Sequence, residues 1–501
     1  MSRHGSSFRC FTPSPLVLAA ALLSPLAAPP AQAQSGGTLP DTVAQALAAS
    51  GLPASSLSVW VHPLDRSGPT LSYQATLPRR MASVMKLMTT GVALRTLGPA
   101  FTWSTPVALG GPLDRQGVLR GDVFIRASGD PSLDSQRLAA WLKQWREAGL
   151  REIRGDVRID RSVFERAFFD TAAFDGQPLK PYNAAPDAWL LAHQAVSLQL
   201  RPGPARAGQA RVTLTPALAG VVLDARVRLD AQAPCGDWRT DLSVDIQANR
   251  RVRVQGRYPL ACGAQSWPLL WPQSAPGEHS ARVWQAAWSD AGGRLRGQVL
   301  EGAWPSPPPE PWLSWSSPPL AEVVRDINKF SNNVMARQLF LTLGRPAEGA
   351  GPASLERARE FVAAQVRQAT RTPGMALSLD GGPCDGAALV LDNGSGLSRT
   401  EGASAACMGH WIAAMWHDPL MPEWLASLPL AGVDGTARRM TAVVGRAHLK
   451  TGSLDDVTAV GGMVQTPSGR RLVVVAVVND ARAEVARPVM RAVLDWAGDD
   501  R

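Results

Sequence analysis

The sequence "MASVMKLMTT", residues 81–90, contains one of only five lysines in a chain whose lysines and arginines together number 51. An exposed positive charge at this position could equally be arginine, which stays protonated at any ordinary pH. A lysine that is buried, or that lies beside another cation, can lose its proton and act as a base. Lys86 is therefore either an exposed charge on an amphipathic helix or part of a chemical site.

Ser83 lies three residues before Lys86, a spacing that places two side chains on the same face of a helix. We predict a helix that begins at Ala82 or Ser83 and ends at Gly98, because Gly98 is followed by proline. A serine hydroxyl becomes a useful nucleophile beside a base, and a neutral lysine can be that base. The S-x-x-K pattern alone occurs too often by chance to identify an active site.

Two further short motifs follow in the chain. "SNN", residues 331–333, is preceded by Lys329 and lies between two predicted helices, where Ser and Asn also act as helix caps. "KTG", residues 450–452, lies in a predicted strand, and glycine in a strand often marks the close approach of a ligand backbone. S-x-x-K, S-x-N and K-T-G in this order are typical of penicillin-binding proteins and serine β-lactamases.

The chain resembles one branch of these proteins, the low-molecular-mass class C penicillin-binding proteins. This branch is the D-alanyl-D-alanine carboxypeptidase/endopeptidase group of peptidase family S13. The similar stretches are "LRGDVFIRASGDPSL" (119–133), "IRGDVRID" (153–160), "PYNAAPDAW" (181–189), "DNGSGLSR" (392–399) and "LAGVDGTARRM" (430–440). The resemblance covers nearly the whole mature chain, and it implies that an inserted pair of domains separates Lys86 from Ser331.

The resemblance also implies a role for each motif residue. Ser83 is expected to form an acyl-enzyme, Lys86 to take its proton, and Ser331 to relay a proton to the leaving amine. Lys86 must then be neutral, and we expect the charge of Lys450 and partial burial to lower its pKa. The backbone N–H groups of Ser83 and Ser453 are expected to form the oxyanion hole. The substrate-binding residues implied in this way are Asn333, Lys450, Thr451, Gly452 and Ser453.

The function implied is that of a periplasmic serine-type D-Ala-D-Ala carboxypeptidase/endopeptidase. Its partners would be peptidoglycan and, as covalent inhibitors, β-lactam antibiotics, and a homodimer is left open. No metal or other cofactor is expected, since no cysteine pair has zinc-site spacing. Nucleic-acid binding is not expected, because the formal net charge of +9 is scattered along the chain without a basic run. The alternatives are a serine β-lactamase or esterase of the same fold, or a non-catalytic cell-wall-binding protein.

The first 33 residues are predicted to be a secretory signal peptide. Arg3 and Arg9 precede an apolar run at residues 16–28, and the small residues "AQA" at 31–33 form a cleavage site. The mature chain would then begin near Gln34 in an oxidising compartment, with no integral membrane segment.

Four cysteines remain in the mature chain, and they allow three disulfide pairings. Proximity in sequence favours Cys235 with Cys262 and Cys384 with Cys407, and free thiols are left open.

The expected fold class is α/β (α+β), a penicillin-binding protein/serine β-lactamase-like transpeptidase fold with an antiparallel sheet flanked by helices. Residues 34–101 and 300–501 would form this discontinuous peptidase domain, because helices and strands occur at both ends of the chain. Residues 102–299 would form an inserted β-rich region of two nested domains. Its short strands are interrupted by one predicted helix, "SQRLAAWLKQWREAGL", residues 135–150.

Overall fold

The structure is a computed structural model, and it describes residues 37–64, 71–167, 169–204, 208–247, 250–272, 275–346, 351–371 and 382–499. The predicted signal peptide, residues 1–33, lies outside the described residues. Within the described ranges, no helix combines the length and the apolar character needed to cross a membrane.

The helices and strands alternate along the described chain. The helices are α1 (Asp41–Ser50), α2 (Lys86–Leu97), α3 (Ser135–Glu147), α4 (Glu278–Asp290), α5 (Leu320–Phe330), α6 (Asn333–Leu343), α7 (Leu355–Thr370), α8 (Ala405–Trp416), α9 (Met421–Ser427) and α10 (Arg487–Gly498). The strands are β1 (Leu57–Pro63), β2 (Leu71–Tyr73), β3 (Pro78–Arg79), β4 (Ser104–Leu109), β5 (Val118–Leu119), β6 (Val123–Arg126), β7 (Glu152–Ile153), β8 (Val157–Asp160), β9 (Ala195–Pro202), β10 (Ala210–Thr215), β11 (Val222–Asp230), β12 (Leu242–Ile246), β13 (Arg251–Pro259), β14 (Gln265–Leu270), β15 (Arg294–Leu295), β16 (Val299–Glu301), β17 (Leu313–Ser316), β18 (Leu389–Val390), β19 (Gly402–Ser404), β20 (Ala447–Leu454), β21 (Val457–Gln465) and β22 (Arg471–Asn479).

A five-stranded antiparallel sheet joins the two ends of the chain in the order β2-β1-β22-β21-β20. Strand β22 is buried on both faces. Successive side chains of a strand point to opposite sides, so its alternate residues pack into two different cores. Val473, Val475 and Val477 pack in the core that includes α2 and α8. Alternate residues such as Val474 and Val478 pack with α1 and α10. This helix-flanked sheet is the fold predicted for the peptidase part.

The inserted region is built on a second five-stranded sheet, in the order β16-β8-β6-β4-β17. Three-stranded sheets of order β15-β7-β5, β10-β9-β14 and β11-β13-β12 complete it. Strands β16 and β17 lie beyond residue 298, where they pair with β8 and β4. The sheet of the inserted region therefore includes β17, which lies beyond residue 299, and the domain limits of 102–299 and 300–501 stay a prediction.

Helix α4 corrects the sequence analysis, which predicted only one helix in the inserted region. Its apolar face includes Trp284 and Trp288, whose ring centroids lie 5.7 and 6.0 Å from that of Trp145 on α3. These aromatic contacts between two amphipathic helices stabilise α4 in the folded protein. The helix has a weak start signal, since Gly277 precedes it without a side-chain cap, and tryptophan also favours strands.

Two disulfides form, Cys235–Cys262 and Cys384–Cys407. This is the pairing that proximity in sequence favoured. Cys407 is fully buried in α8, so the second disulfide ties the segment before β18 to the core of the peptidase part.

Candidate active site

Ser83 lies in a short 3₁₀ turn, Ala82–Met85, that leads directly into α2. Lys86 is the first residue of α2, and the helix ends before Gly98 as predicted. The helical turn begins at Ala82, near the predicted start, although its first turn is 3₁₀ and Ala82 itself has a φ of +47°. A left-handed backbone is costly for a residue other than glycine, and such strain is concentrated at functional sites.

The amino group of Lys86 contacts three oxygen atoms from three separate parts of the chain. Its Nζ lies 2.9 Å from Ser83 Oγ, 2.5 Å from Asn333 Oδ1 and 2.5 Å from the carbonyl oxygen of Ser395. The Lys86 side chain is fully buried, whereas Ser83 is partly exposed. The hydroxyl is thus open to a substrate while the amine beneath it is shielded from water.

The neutral amine, which a lowered pKa favours, has two N–H donors and one lone pair. The carbonyl oxygens of Asn333 and Ser395 can only accept, so Lys86 donates to both of them. The Ser83 hydroxyl can donate, so the remaining lone pair of the amine can accept its proton. Burial holds the pKa of Lys86 well below its usual range, and the positive charge of Lys450 lowers it further. The sequence analysis expected only partial burial; complete burial is the larger cause.

The S-x-N motif forms the junction between α5 and α6. Ser331 ends α5 in a left-handed conformation, with φ +56°. The side chain of Asn332 caps α6 by accepting the backbone N–H of Met335 at 3.1 Å. The middle residue of the motif is therefore structural, while Ser331 and Asn333 on either side of it each contact a lysine.

Lys450 lies on β20, the edge strand of the peptidase sheet. Its Nζ donates to Ser331 Oγ at 2.9 Å and to the carbonyl oxygen of Thr451 at 2.8 Å. The side chain is fully buried, and this burial lowers its pKa to about 7. Both lysines of the site thus have lowered pKa values, and such shifts are concentrated at functional sites.

Gly452 lets β20 lie against the turn that carries Ser83. A Cβ atom at position 452 would lie 2.5 Å from the carbonyl oxygen of Met81 and 3.2 Å from the backbone nitrogen of Ser83. No side chain fits at the first of these distances. The glycine of K-T-G thus brings the outer edge of the strand, including exposed Ser453, beside the nucleophile.

Hydrogen bonds join the predicted site residues into two groups. One group contains Ser83, Lys86 and Asn333, and the other contains Ser331, Lys450 and Thr451. Gly452 and Ser453 follow on the same strand. In the part of the chain that the structure describes, no three His, Cys, Asp or Glu side chains are grouped as a metal site would require.

Three residues at the site were given no role by the sequence analysis. The carbonyl of Ser395 accepts from Lys86, and Glu401 binds the loop that contains Ser395. Thr436 Oγ1 accepts a hydrogen bond from Thr451 Oγ1 at 2.8 Å. Ser395 and Thr436 lie within the family-like stretches "DNGSGLSR" and "LAGVDGTARRM", but no motif gave them a function.

Most of the chain is similar to known proteins. Residues 39–499 match the model of the D-Ala-D-Ala carboxypeptidase 3 (S13) family. The chain is 30% identical over 404 residues to a D-alanyl-D-alanine carboxypeptidase of Actinomadura sp. (strain R39), covering 77% of this chain and 71% of that protein. It is 23% identical over 412 residues to the D-alanyl-D-alanine carboxypeptidase DacB of Haemophilus influenzae, covering 79% and 80%.

A solved structure shows the same fold. Penicillin-binding protein 4 (dacB) from Haemophilus influenzae matches with a TM-score of 0.70 at 20% identity, covering 91% of this chain and 98% of that one. With a family match over most of its length, the chain belongs to the D-Ala-D-Ala carboxypeptidase 3 (S13) family and is a serine-type carboxypeptidase.

Proposed function

We propose that this protein is a periplasmic serine-type D-Ala-D-Ala carboxypeptidase/endopeptidase that acts on peptidoglycan stem peptides and cross-links. The observation that carries the proposal is the contact of 2.9 Å between Ser83 Oγ and the buried amine of Lys86. A serine beside a neutral base is an activated nucleophile. The family membership indicates the substrate class, because its curated relatives are D-alanyl-D-alanine carboxypeptidases.

In the acylation step, Ser83 Oγ attacks the carbonyl carbon of the peptide bond before the terminal D-Ala. Its proton passes to the lone pair of Lys86, and the negative charge develops on the substrate oxygen. The backbone N–H groups of Ser83 and Ser453 stabilise that oxygen. The close approach of Gly452 to the Ser83 turn supports this assignment, because it brings the two segments together.

Collapse of this intermediate breaks the C–N bond and releases D-Ala, whose nitrogen takes a proton. Ser331 relays to this nitrogen the proton that Lys86 took from Ser83, which makes Lys86 neutral again, and the hydrogen bond from Lys450 at 2.9 Å orients the Ser331 hydroxyl. Water then attacks the acyl-enzyme, with Lys86 again as the base, and restores Ser83.

The terminal carboxylate of the substrate binds at β20. Thr451 contributes a partly exposed hydroxyl that is already bonded to Thr436. The charge of Lys450 lies beneath it, and a bound carboxylate favours the protonated form of this lysine. Asn333 accepts a hydrogen bond from Lys86. Its side chain is also the one that we assign to a hydrogen bond with the substrate amide.

The test is covalent labelling of the mature protein by a fluorescent penicillin. The unmodified protein is expected to retain the label for many minutes, and Ser83→Ala should abolish labelling because no acyl-enzyme can form. A label that is lost within seconds favours the β-lactamase or esterase alternative. Persistent labelling of Ser83→Ala would place the nucleophile elsewhere, and an unlabelled wild-type protein would favour the non-catalytic alternative.

Digestion of purified peptidoglycan distinguishes the two peptidase activities. Release of free D-Ala indicates carboxypeptidase activity, and loss of cross-linked dimers indicates endopeptidase activity. Mass spectrometry of the products measures both in one experiment, with Ser83→Ala as the inactive control.

A further inference from the structure

The loop of residues 392–396 supplies one of the two acceptors that orient the amine of Lys86. The carbonyl oxygen of Ser395 accepts from Lys86 Nζ at 2.5 Å. With Asn333 Oδ1 as the other acceptor, this contact directs the lone pair of the neutral amine toward Ser83. The position of the Ser395 carbonyl therefore affects how well the base is aimed.

The same loop is bound from its other side by a fully buried carboxylate, that of Glu401. Glu401 Oε1 accepts the backbone N–H of Gly394 at 2.8 Å and that of Asp392 at 3.2 Å. Glu401 Oε2 accepts the backbone N–H of Gly396 at 2.6 Å. One side chain thus satisfies three donors on both sides of Ser395.

The backbone conformation of this loop requires glycine at two positions. Gly394 and Gly396 have φ values of +71° and +76°. A Cβ at position 396 would lie 1.8 Å from the carbonyl oxygen of Ala82, in the turn that carries Ser83. Thr89 on α2 adds one further anchor, since its Oγ1 donates to the carbonyl of Gly394 at 2.6 Å. The loop therefore contacts both the base and the nucleophile's turn.

The charge of Glu401 also acts on the base. An ionised carboxylate accepts hydrogen bonds only, which matches the three backbone donors, although burial raises the pKa of Glu401. The charged groups that face Lys86 are Glu401, which favours its protonated form, and Lys450 and Arg337, which disfavour it. Glu401 is the negative member of this set.

We propose that Glu401 is a positioning residue for catalysis: by holding loop 392–396, it places the Ser395 carbonyl on Lys86 and so aims the base at Ser83. This inference rests on the proposed acyl-enzyme function. Glutamine cannot replace the carboxylate, since one of its ends carries N–H donors that would face the backbone N–H groups of the loop.

The experiment compares wild type with Glu401→Gln in stopped-flow reactions with a fluorescent penicillin. The dependence on penicillin concentration separates the non-covalent Kd from the acylation rate constant. We expect the rate constant to fall at least about ten-fold, because small misplacements of catalytic groups are costly. The Kd should stay within about two-fold, because the Glu401 carboxylate is fully buried and bonds to backbone N–H groups of the loop.

The pH profile separates positioning from general stability. Loss of the negative charge and displacement of the Ser395 carbonyl both disfavour the ammonium form of Lys86. The acid limb of the acylation profile should therefore move to lower pH in Glu401→Gln. A purely structural role would lower the melting temperature and leave this limb in place.

The matched control is Asp130→Asn in the inserted region. Asp130 is also buried and accepts the backbone N–H of Ser132 at 2.8 Å and the indole N–H of Trp315 at 3.2 Å. It should lose stability but acylate at the wild-type rate. If Glu401→Gln does not fold, Thr89→Val tests the proposal instead. It removes the hydrogen bond from Thr89 to the Gly394 carbonyl of the same loop, and we expect a smaller fall in the acylation rate constant.

A folded Glu401→Gln with the wild-type rate constant and pH profile would overturn the role of Glu401 and leave the proposed function intact. The same holds for an unaffected Thr89→Val when Glu401→Gln does not fold. A wild-type protein that is never acylated would contradict the proposed function itself, and the inference with it.

Discussion

The peptidase part and the inserted region hold positive charge in opposite ways. In the peptidase part, Lys86 and Lys450 are fully buried, and the hydrogen-bond partners of both are neutral oxygen atoms. In the inserted region, the guanidinium of Arg161 forms a two-point ion pair with the buried carboxylate of Asp187. A cation that is paired in this way stays charged, whereas an unpaired buried lysine is driven toward its neutral form.

The difference shows which buried cation is chemical and which is structural. The Asp187 backbone also exchanges two hydrogen bonds with Gln338 on α6, so the ion pair lies where the inserted region meets the helix that begins at Asn333. Paired charge there joins two parts of the fold. Lys86, whose hydrogen-bond partners are neutral oxygen atoms, provides a base in its neutral form, and arginine could not provide one because its pKa is too high.

The largest effect is expected from replacing the unpaired cation by one that cannot lose its proton. Lys86→Arg keeps the positive charge but removes the base, so acylation by a fluorescent penicillin should slow by at least about 10²-fold. The control is Lys143→Arg on α3, an exposed lysine whose side chain is 76% accessible; its acylation should be unchanged. A Lys86→Arg variant that acylates at the wild-type rate would show that Lys86 is not the base.

A smaller effect is expected from breaking the paired cation. Asp187→Asn breaks the two-point ion pair with Arg161, whose side chain is 17% exposed, and should lower the free energy of unfolding by about 2 kcal/mol. Urea denaturation measures this loss. The matched control is Asp495→Asn on α10, whose partner Arg491 has a side chain that is 62% accessible. A surface pair of this kind should contribute under about 1 kcal/mol. Equal losses in the two variants would contradict the distinction between the buried and exposed pairs.

Much of this comparison could be predicted from the sequence. The scarcity of lysine and the order of the three motifs located Ser83, Lys86, Ser331 and Lys450 before any contact was known. The helix-flanked sheet followed from the resemblance and from the strand and helix patterns at both ends, and Gly98 ended α2 where expected. These features are encoded in side-chain identity and local spacing, which a sequence shows directly.

Other parts of the site could not be predicted. The Ser395 carbonyl that accepts from Lys86 is a backbone atom 309 positions away, and any residue type supplies such an atom. The role of Glu401 depends on a loop whose shape comes from two glycines with positive φ. The complete burial of Lys86 arises from packing between distant segments, so the sequence analysis expected only partial burial.

Nuclear magnetic resonance of lysine labelled with carbon-13 at Cε tests the central claim most directly, because the chain contains only five lysines. The Cε chemical shift reports protonation of the neighbouring amine, and Lys86→Arg and Lys450→Arg assign the two signals. We expect the Lys86 signal to titrate well below the usual lysine value of about 10.4 and the Lys450 signal to titrate at about 7. Titration of both signals near 10.4 would contradict the account, because Lys86 would then be an ammonium ion at neutral pH.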